Sequence, residues 1–145
     1  MIYVDTSVLV AMHTRESGTR AAQDWYARLD DTPLCSAAWA ATEFASALSI
    51  KRRTNQLTTR QAGQTWRQFR SLCSADLRLL PVNSEAFQDA ASLVLDSTSG
   101  LRAGDALHLA VALQVKANAV ATFDTVMRVE AGKLGMRLIE FEARA

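Results

Sequence analysis

The chain has 145 residues, of which 49% are hydrophobic and 21% charged, and a formal net charge of +1. That length and apolar content are enough for a packed core and exclude a disordered chain, and the near-neutral balance excludes a generic polyanion-binding arm, leaving only a local basic patch. Two cysteines, Cys35 and Cys73, make neither a disulfide framework nor a zinc site and read as buried free thiols of a reducing cytoplasm.

The first segment is MIYVDTSVLVAM, in which IYVD reads as a short buried strand and TSVLVAM as a helix capped by Thr6 or Ser7. No basic region precedes these apolar residues and no small-residue cleavage pattern follows them, so a signal peptide is not expected. The run also falls short of the roughly 20 apolar residues that span a bilayer, and no other run is long enough, so no membrane segment is expected. GTRAAQDWYARLD has helical spacing, and LCS is a short strand. AAWAATEFASALSIKRR is an alanine-rich helix with basic residues in its last turn, followed by a second helical pattern in TNQLTTRQAGQTWRQFRSLC with a threonine cap; together they predict a helical hairpin. LRLLPV is a strand, NSEAFQDAASLVLDS a helix capped by Asn83 or Ser84, TSGLRAG a loop and DALHLAVALQVKA a helix. AVATF is a strand, DTVMRVEAGKLG a short helix closed by glycine, and MRLIEF the final strand. Strands alternating with helices predict an α/β fold, a parallel sheet covered on both faces, as one domain over 1–145.

The charges within the apolar segments carry the functional signal. Asp5 is the only charge before Arg15, Glu43 the only one between Asp31 and Lys51, Asp105 the only one between Arg102 and Lys116, and Asp124 the only one between Lys116 and Arg128. Each weakly charged stretch thus holds one charge, and each is acidic. Asp5 and Asp124 follow strands, Asp105 opens a helix after a loop, and Glu43 lies two turns into a helix. In an open parallel sheet these positions can meet beyond the carboxyl ends of the strands. Clustered carboxylates repel unless a cation holds them, and an oxygen-only ligand set suits Mg²⁺ or Mn²⁺, the ions of phosphoryl-transfer sites. A plainer role stands beside each: Asp5, Asp105 and Asp124 sit where carboxylates cap helices, and Glu43 is of a type normally solvated, although Ala40, Ala41 and Ala45 around it allow close packing. Thr6, Ser7 and Thr122 read as hydrogen-bond partners of these acids or as simple caps. His108, on an apolar helix, reads as a satisfied, partly buried histidine. Trp25, Trp39 and Trp66 read as helix-packing residues. Among the basic residues, KRR at 51–53 suits a helix C-terminus, and Arg102 is the candidate phosphate contact because it precedes Asp105 by three residues.

VDTSVLV, TEFASAL, LRAGDALHLAVAL and VATFD followed by GMRLI resemble, in order and approximate spacing, the PIN domain, in particular the VapC-type toxins of bacterial and archaeal toxin–antitoxin pairs. The family's four acids match Asp5, Glu43, Asp105 and Asp124, and its hydroxyl positions match Thr6, with Ser7 beside it, and Thr122. One departure is TFDTVM, where many relatives carry a polar residue or a further acid after the fourth aspartate. The resemblance implies a three-layer α/β/α sandwich with a central, mainly parallel sheet. It also implies a Mg²⁺-dependent endoribonuclease, with Mn²⁺ able to substitute, that cleaves RNA phosphodiesters with metal-activated water and leaves a 5′-phosphate and a 3′-hydroxyl. A homodimer, a VapB-like antitoxin partner and a cytoplasmic location go with that reading. The alternatives are a PIN-like protein that binds RNA or a partner without cleavage, and a housekeeping RNA-processing nuclease of the same fold. An aspartyl-phosphate enzyme of the haloacid dehalogenase kind needs a second aspartate where Ser7 stands, and a phosphorelay receiver needs an acceptor aspartate after LRLLPV, which has none.

Overall fold

The computed structural model describes residues 1–142; positions 143–145, the end of the expected domain, lie outside the described residues. The first strand, β1 (Ile2–Val4), is buried on both faces, and its side chains alternate between them: Ile2 and Val4 enter one core, Tyr3 the other. Helix α1 (Thr6–His13) follows at once. Its cap is Asp5 rather than Thr6 or Ser7, because Asp5 keeps extended backbone while its carboxylate accepts from the Ser7 N–H at 3.4 Å. Helix α2 (Thr19–Ala27) leads to β2 (Leu34–Ala37). The expected hairpin is present as α3 (Trp39–Arg53) and α4 (Thr59–Ala75). Thr58 and Gln61 close a reciprocal capping box at the start of α4, each side chain bonding the other's backbone N–H, at 3.1 and 2.9 Å.

β3 (Leu77–Leu80) is followed by α5 (Ser84–Asp96), capped by Asn83, and then by α6 (Ala103–Gln114), β4 (Ala119–Ala121), α7 (Thr125–Lys133) and β5 (Arg137–Leu138). Several boundaries differ from the sequence expectation, and those nearest the strand ends bear on the site. Helix α6 starts two residues before Asp105, so Arg102 is its N-cap and Asp105 an anion of its first turn. β4 ends at Ala121 because Thr122 turns to bond Asp5. The expected final strand MRLIEF pairs only over Arg137–Leu138, with one further bond from Ile139 N to Val120 O at 2.9 Å.

All strand pairs are parallel, in the order β3-β2-β1-β4-β5. From the central β1 the chain builds outward through β2 and β3, then crosses to the opposite flank of β1 for β4 and β5. Direction therefore reverses between β1 and β4, the place where such sheets open a crevice beyond their carboxyl ends. Register makes this specific. Val4 pairs with Ala121, and Asp5 N donates to Ala121 O at 2.9 Å, so Asp5 and Thr122 leave the sheet side by side.

Helices α1 to α4 cover one face, with Val8, Trp25, Phe44 and Phe69 in that core; α5 to α7 cover the other, with Ala90, Leu109 and Met127. This is the three-layer α/β/α arrangement expected from the sequence. Cys35 is buried and Cys73 half-buried, both as free thiols. No described helix is long and apolar enough to cross a membrane.

Candidate metal centre

Asp5 emerges from β1 into a crevice and is almost fully buried. Its Oδ2 accepts from Ser7 Oγ at 2.7 Å and from Thr122 Oγ1 at 2.8 Å, while Oδ1 lies 3.6 Å from His108 Nε2. The hydroxyls expected as partners of the acids are therefore real partners. Ser7 Oγ also accepts from Phe123 N, and Thr122 Oγ1 from Asp124 N, both at 3.1 Å, so the clamp on Asp5 fixes the loop that carries Asp124. Asp124 caps α7 through Oδ1, accepting from Met127 N at 2.8 Å. Glu43 reaches across from α3, its Oε1 accepting from Thr6 Oγ1 at 2.8 Å and from His108 Nε2 through a short bond. Asp105 stands in the first turn of α6, with no hydrogen-bonding partner among the described residues.

These four acids line one open cleft of about 630 Å³, together with Glu16, and every ionisable side chain on its wall is acidic. Glu16 gives nothing away in sequence, being one acid in a charged connection. It pairs with Lys51 at 3.0 Å, so Lys51 is a buried counter-ion rather than a free basic residue at the helix end. Trp39 departs from the packing role expected of it: it is 37% exposed and forms part of the cleft wall. Trp25 packs against Phe141 and Trp66 against Phe69, as expected of packing residues. Arg102 is exposed at the α6 N-cap and does not line the cleft. A Cβ added at Gly104 would lie 3.3 Å from both Glu43 Oε2 and Trp39 Nε1. The missing side chain thus lets the first turn of α6, and Asp105 with it, approach α3.

The charge balance follows from this crowding. Burial, then the charges of Asp124 and Asp5, push the Asp105 carboxyl up to about 6. Burial alone would also raise Glu43, but hydrogen bonds from His108 and Thr6 and the His108 charge outweigh it and hold Glu43 below its usual value. Burial would lower His108, and the surrounding carboxylates reverse that and raise it. The sign for Asp105 is that of an acid harder to ionise folded than unfolded. Its contribution to stability is full below pH 3.8 and lost as pH rises through about 6. The expected result is that metal-free Asp105→Asn melts higher than the wild type at pH 7.5, by on the order of 1 kcal/mol once solvent screening in the open cleft is allowed for. Melting curves from pH 4 to pH 8 check this; the gap should close toward pH 4, and equal curves at every pH would remove the repulsion from the account.

The donor set is all oxygen and acidic, the chemistry a hard divalent ion prefers, with Lys51 compensating Glu16 and His108 standing beside Glu43 and Asp5. Among the described residues no group of three or more His, Cys, Asp or Glu side chains is placed closely enough to hold a metal ion as it stands.

The PIN-domain family profile matches residues 2–132. The sequence matches no curated protein. Among solved structures, VapC20 of Mycobacterium tuberculosis, described as a toxin that cleaves the sarcin–ricin loop, superposes with a TM-score of 0.72 at 18% identity, over 89% of this chain and 94% of its own. FitAB bound to an IR36 DNA fragment gives a TM-score of 0.69 at 18% identity over the whole of both chains. FitAcB from Neisseria gonorrhoeae gives 0.63 at 19% identity over 97% of each. With the parallel-sheet fold and the family match over nearly its full length, the chain belongs to the PIN-domain family.

Proposed function

We propose that this chain is a divalent-metal-dependent endoribonuclease, the toxin of a VapBC-like pair. The observation that carries the reading is the convergence of Asp5, Glu43, Asp105 and Asp124, from four separate elements, on one cleft whose ionisable wall is wholly acidic. A bound Mg²⁺ or Mn²⁺ would supply Lewis-acid stabilisation of phosphoryl charge and an activated water. Asp5 and Asp105 are the principal ligand candidates, Asp5 because Ser7 and Thr122 pin it, Asp105 because no protein group engages it. Glu43, whose Oε1 is taken by Thr6 and His108, and Asp124, whose Oδ1 caps α7, each present their second oxygen as a candidate to complete the ligand set directly or through water. The open side of the cleft leaves room for a phosphodiester strand, and Arg102 is the candidate contact for a flanking phosphate. A homodimer and an antitoxin partner belong to the same reading; structural likeness to FitAB and FitAcB supports a partnered toxin.

The purified chain should cleave RNA when Mg²⁺ or Mn²⁺ is added and stop on chelation, leaving 5′-phosphate and 3′-hydroxyl ends that can be sequenced. Bound metal with every tested RNA left intact would instead favour a PIN-like binding protein. Metal should also raise the melting temperature. At a hundred-fold excess over Kd, a ligand of the folded state alone adds about 2.7 kcal/mol, roughly 5–10 °C for a chain of this size. A melting temperature indifferent to both ions would argue against a carboxylate metal centre.

A further inference from the structure

His108 is fully buried, yet it lies between two layers of the sandwich. It belongs to α6, on one face of the sheet, while Glu43 belongs to α3, on the other. They meet just past the end of β1. A continuous line of hydrogen bonds leads to that meeting point. Ala37 N, in β2, donates to Tyr3 Oη at 3.0 Å. Tyr3 Oη lies 2.6 Å from His108 Nδ1, and His108 Nε2 makes the short bond to Glu43 Oε1. Thr6 closes the group, its Oγ1 donating to Glu43 and lying 3.2 Å from His108 Nε2. Tyr3 and His108 are wholly sheltered from water, so no solvent molecule can replace a lost partner.

Donor and acceptor roles close on one pattern. Glu43 and Asp5 are the acceptors facing Nε2, so that nitrogen carries its hydrogen. Nδ1 then accepts from the Tyr3 hydroxyl when the ring is neutral and donates to it when the ring is charged. In both charge states Nε2–H points at Glu43, so the contact does not depend on titration. The ring is also held face-to-edge against Tyr3, with centroids 5.7 Å apart and planes at 70°.

We infer that His108, oriented by Tyr3, is a positioning residue for Glu43. It holds Oε1, while Oε2 stands at the cleft wall beside Gly104, where the Trp39 indole also hydrogen-bonds the Glu43 carboxylate. The surrounding elements show why such a tether is needed. Glu43 sits mid-helix, with no cap or strand end to fix it, whereas Asp5 and Asp124 are each fixed by backbone N–H groups as well. The inference rests on the metal-centre reading above, because the consequence of a misplaced Glu43 is weakened cation binding. Loss of an outer partner of a metal ligand typically costs roughly 10- to 100-fold in affinity.

The test is Mn²⁺ calorimetry on the full chain for wild type, Tyr3→Phe, His108→Leu and His108→Gln, with near-UV circular dichroism to show that each is folded. The glutamine amide can replace Nε2–H, and leucine cannot. The expected result is a loss of roughly 10- to 100-fold in His108→Leu, a smaller loss in Tyr3→Phe, and recovery to within a few-fold of wild type in His108→Gln. A purely space-filling histidine predicts no such difference between glutamine and leucine. A metal-free readout separates failure of this inference from failure of the metal reading. In ¹⁵N spectra of the apo protein the His108 Nε2–H should be protected from exchange, and that protection should vanish in Glu43→Ala. If protection is unchanged in Glu43→Ala, or if folded His108→Leu binds Mn²⁺ as tightly as wild type, the tether is wrong even if the metal centre stands. If wild type shows the protected proton but binds no Mn²⁺, the metal reading falls and the positioning role with it.

Discussion

Asp5→Asn should lose at least about 10³-fold in single-turnover cleavage of RNA while keeping the wild-type fold. The loss corresponds to some 4 kcal/mol of transition-state stabilisation, within what a correctly held divalent ion supplies. Retention of the fold follows from what holds the carboxylate. Ser7 Oγ, Thr122 Oγ1 and Ser7 N all donate to Oδ2, and an asparagine carbonyl accepts from all three equally well. Asparagine is also as good an N-cap as aspartate, so α1 keeps its start. What changes is the second oxygen, which becomes an amide that cannot bind a cation and that turns an N–H toward His108 Nε2, 3.6 Å away. Cleavage rate and metal-free melting curve should be measured on the same preparation, with the wild type purified in parallel as a check on contaminating nuclease. A variant that cuts at the wild-type rate would end the case for Asp5 as a metal ligand.

Phe44→Ala should produce the largest loss of stability among single changes near the site, about 3–5 kcal/mol. Phe44 follows Glu43 on α3 and turns the opposite way, into the core. It is fully buried, stacked on Phe69 with centroids 4.1 Å apart and planes at 11°, and it meets His13 edge-on at 5.5 Å. Removing the ring leaves a cavity where α3, α4 and α1 join, and none of the neighbouring rings can collapse into it without losing contacts of its own. Against a total of about 5–15 kcal/mol for a domain, this is a large fraction. Urea unfolding at 25 °C measures it directly, and Glu43→Gln is the control, since it alters the adjacent residue without emptying the core. A loss below about 1 kcal/mol for Phe44→Ala would mean that the hairpin does not depend on this stack. The two changes separate the roles of consecutive residues, one facing the chemistry and one holding the helix that carries it.

Much of this was legible in the sequence for a simple reason. A charge in an apolar segment is costly, so a single acid within each of four such segments stands out whatever the fold. The alternation of strands and helices is equally visible, because apolar spacing changes period between them. Several caps were legible: Asn83 and Asp124 were among the expected caps and Asp5, also weighed as one, caps α1 in place of Thr6 or Ser7, whereas α6 is capped by Arg102, three residues before Asp105. Roles that depend on a partner far along the chain were not. Trp39 looks like any packing residue until α3 is set against the first turn of α6 at Gly104. Glu16 and Lys51 are ordinary surface charges until their connection folds back on α3. His108 is more deeply buried than its setting suggests, and its partner Tyr3 is 105 residues away.

By itself the sequence determined the elements, their αβ alternation and the identity of the acids, since burial cost and backbone propensity act on neighbours along the chain. The strand order β3-β2-β1-β4-β5, the pairing of Val4 with Ala121 that sets Asp5 beside Thr122, and the bridge from Tyr3 through His108 to Glu43 were decided only in three dimensions. Distances between residues a hundred positions apart are set by which strands pair and in what register, and no local pattern encodes that choice.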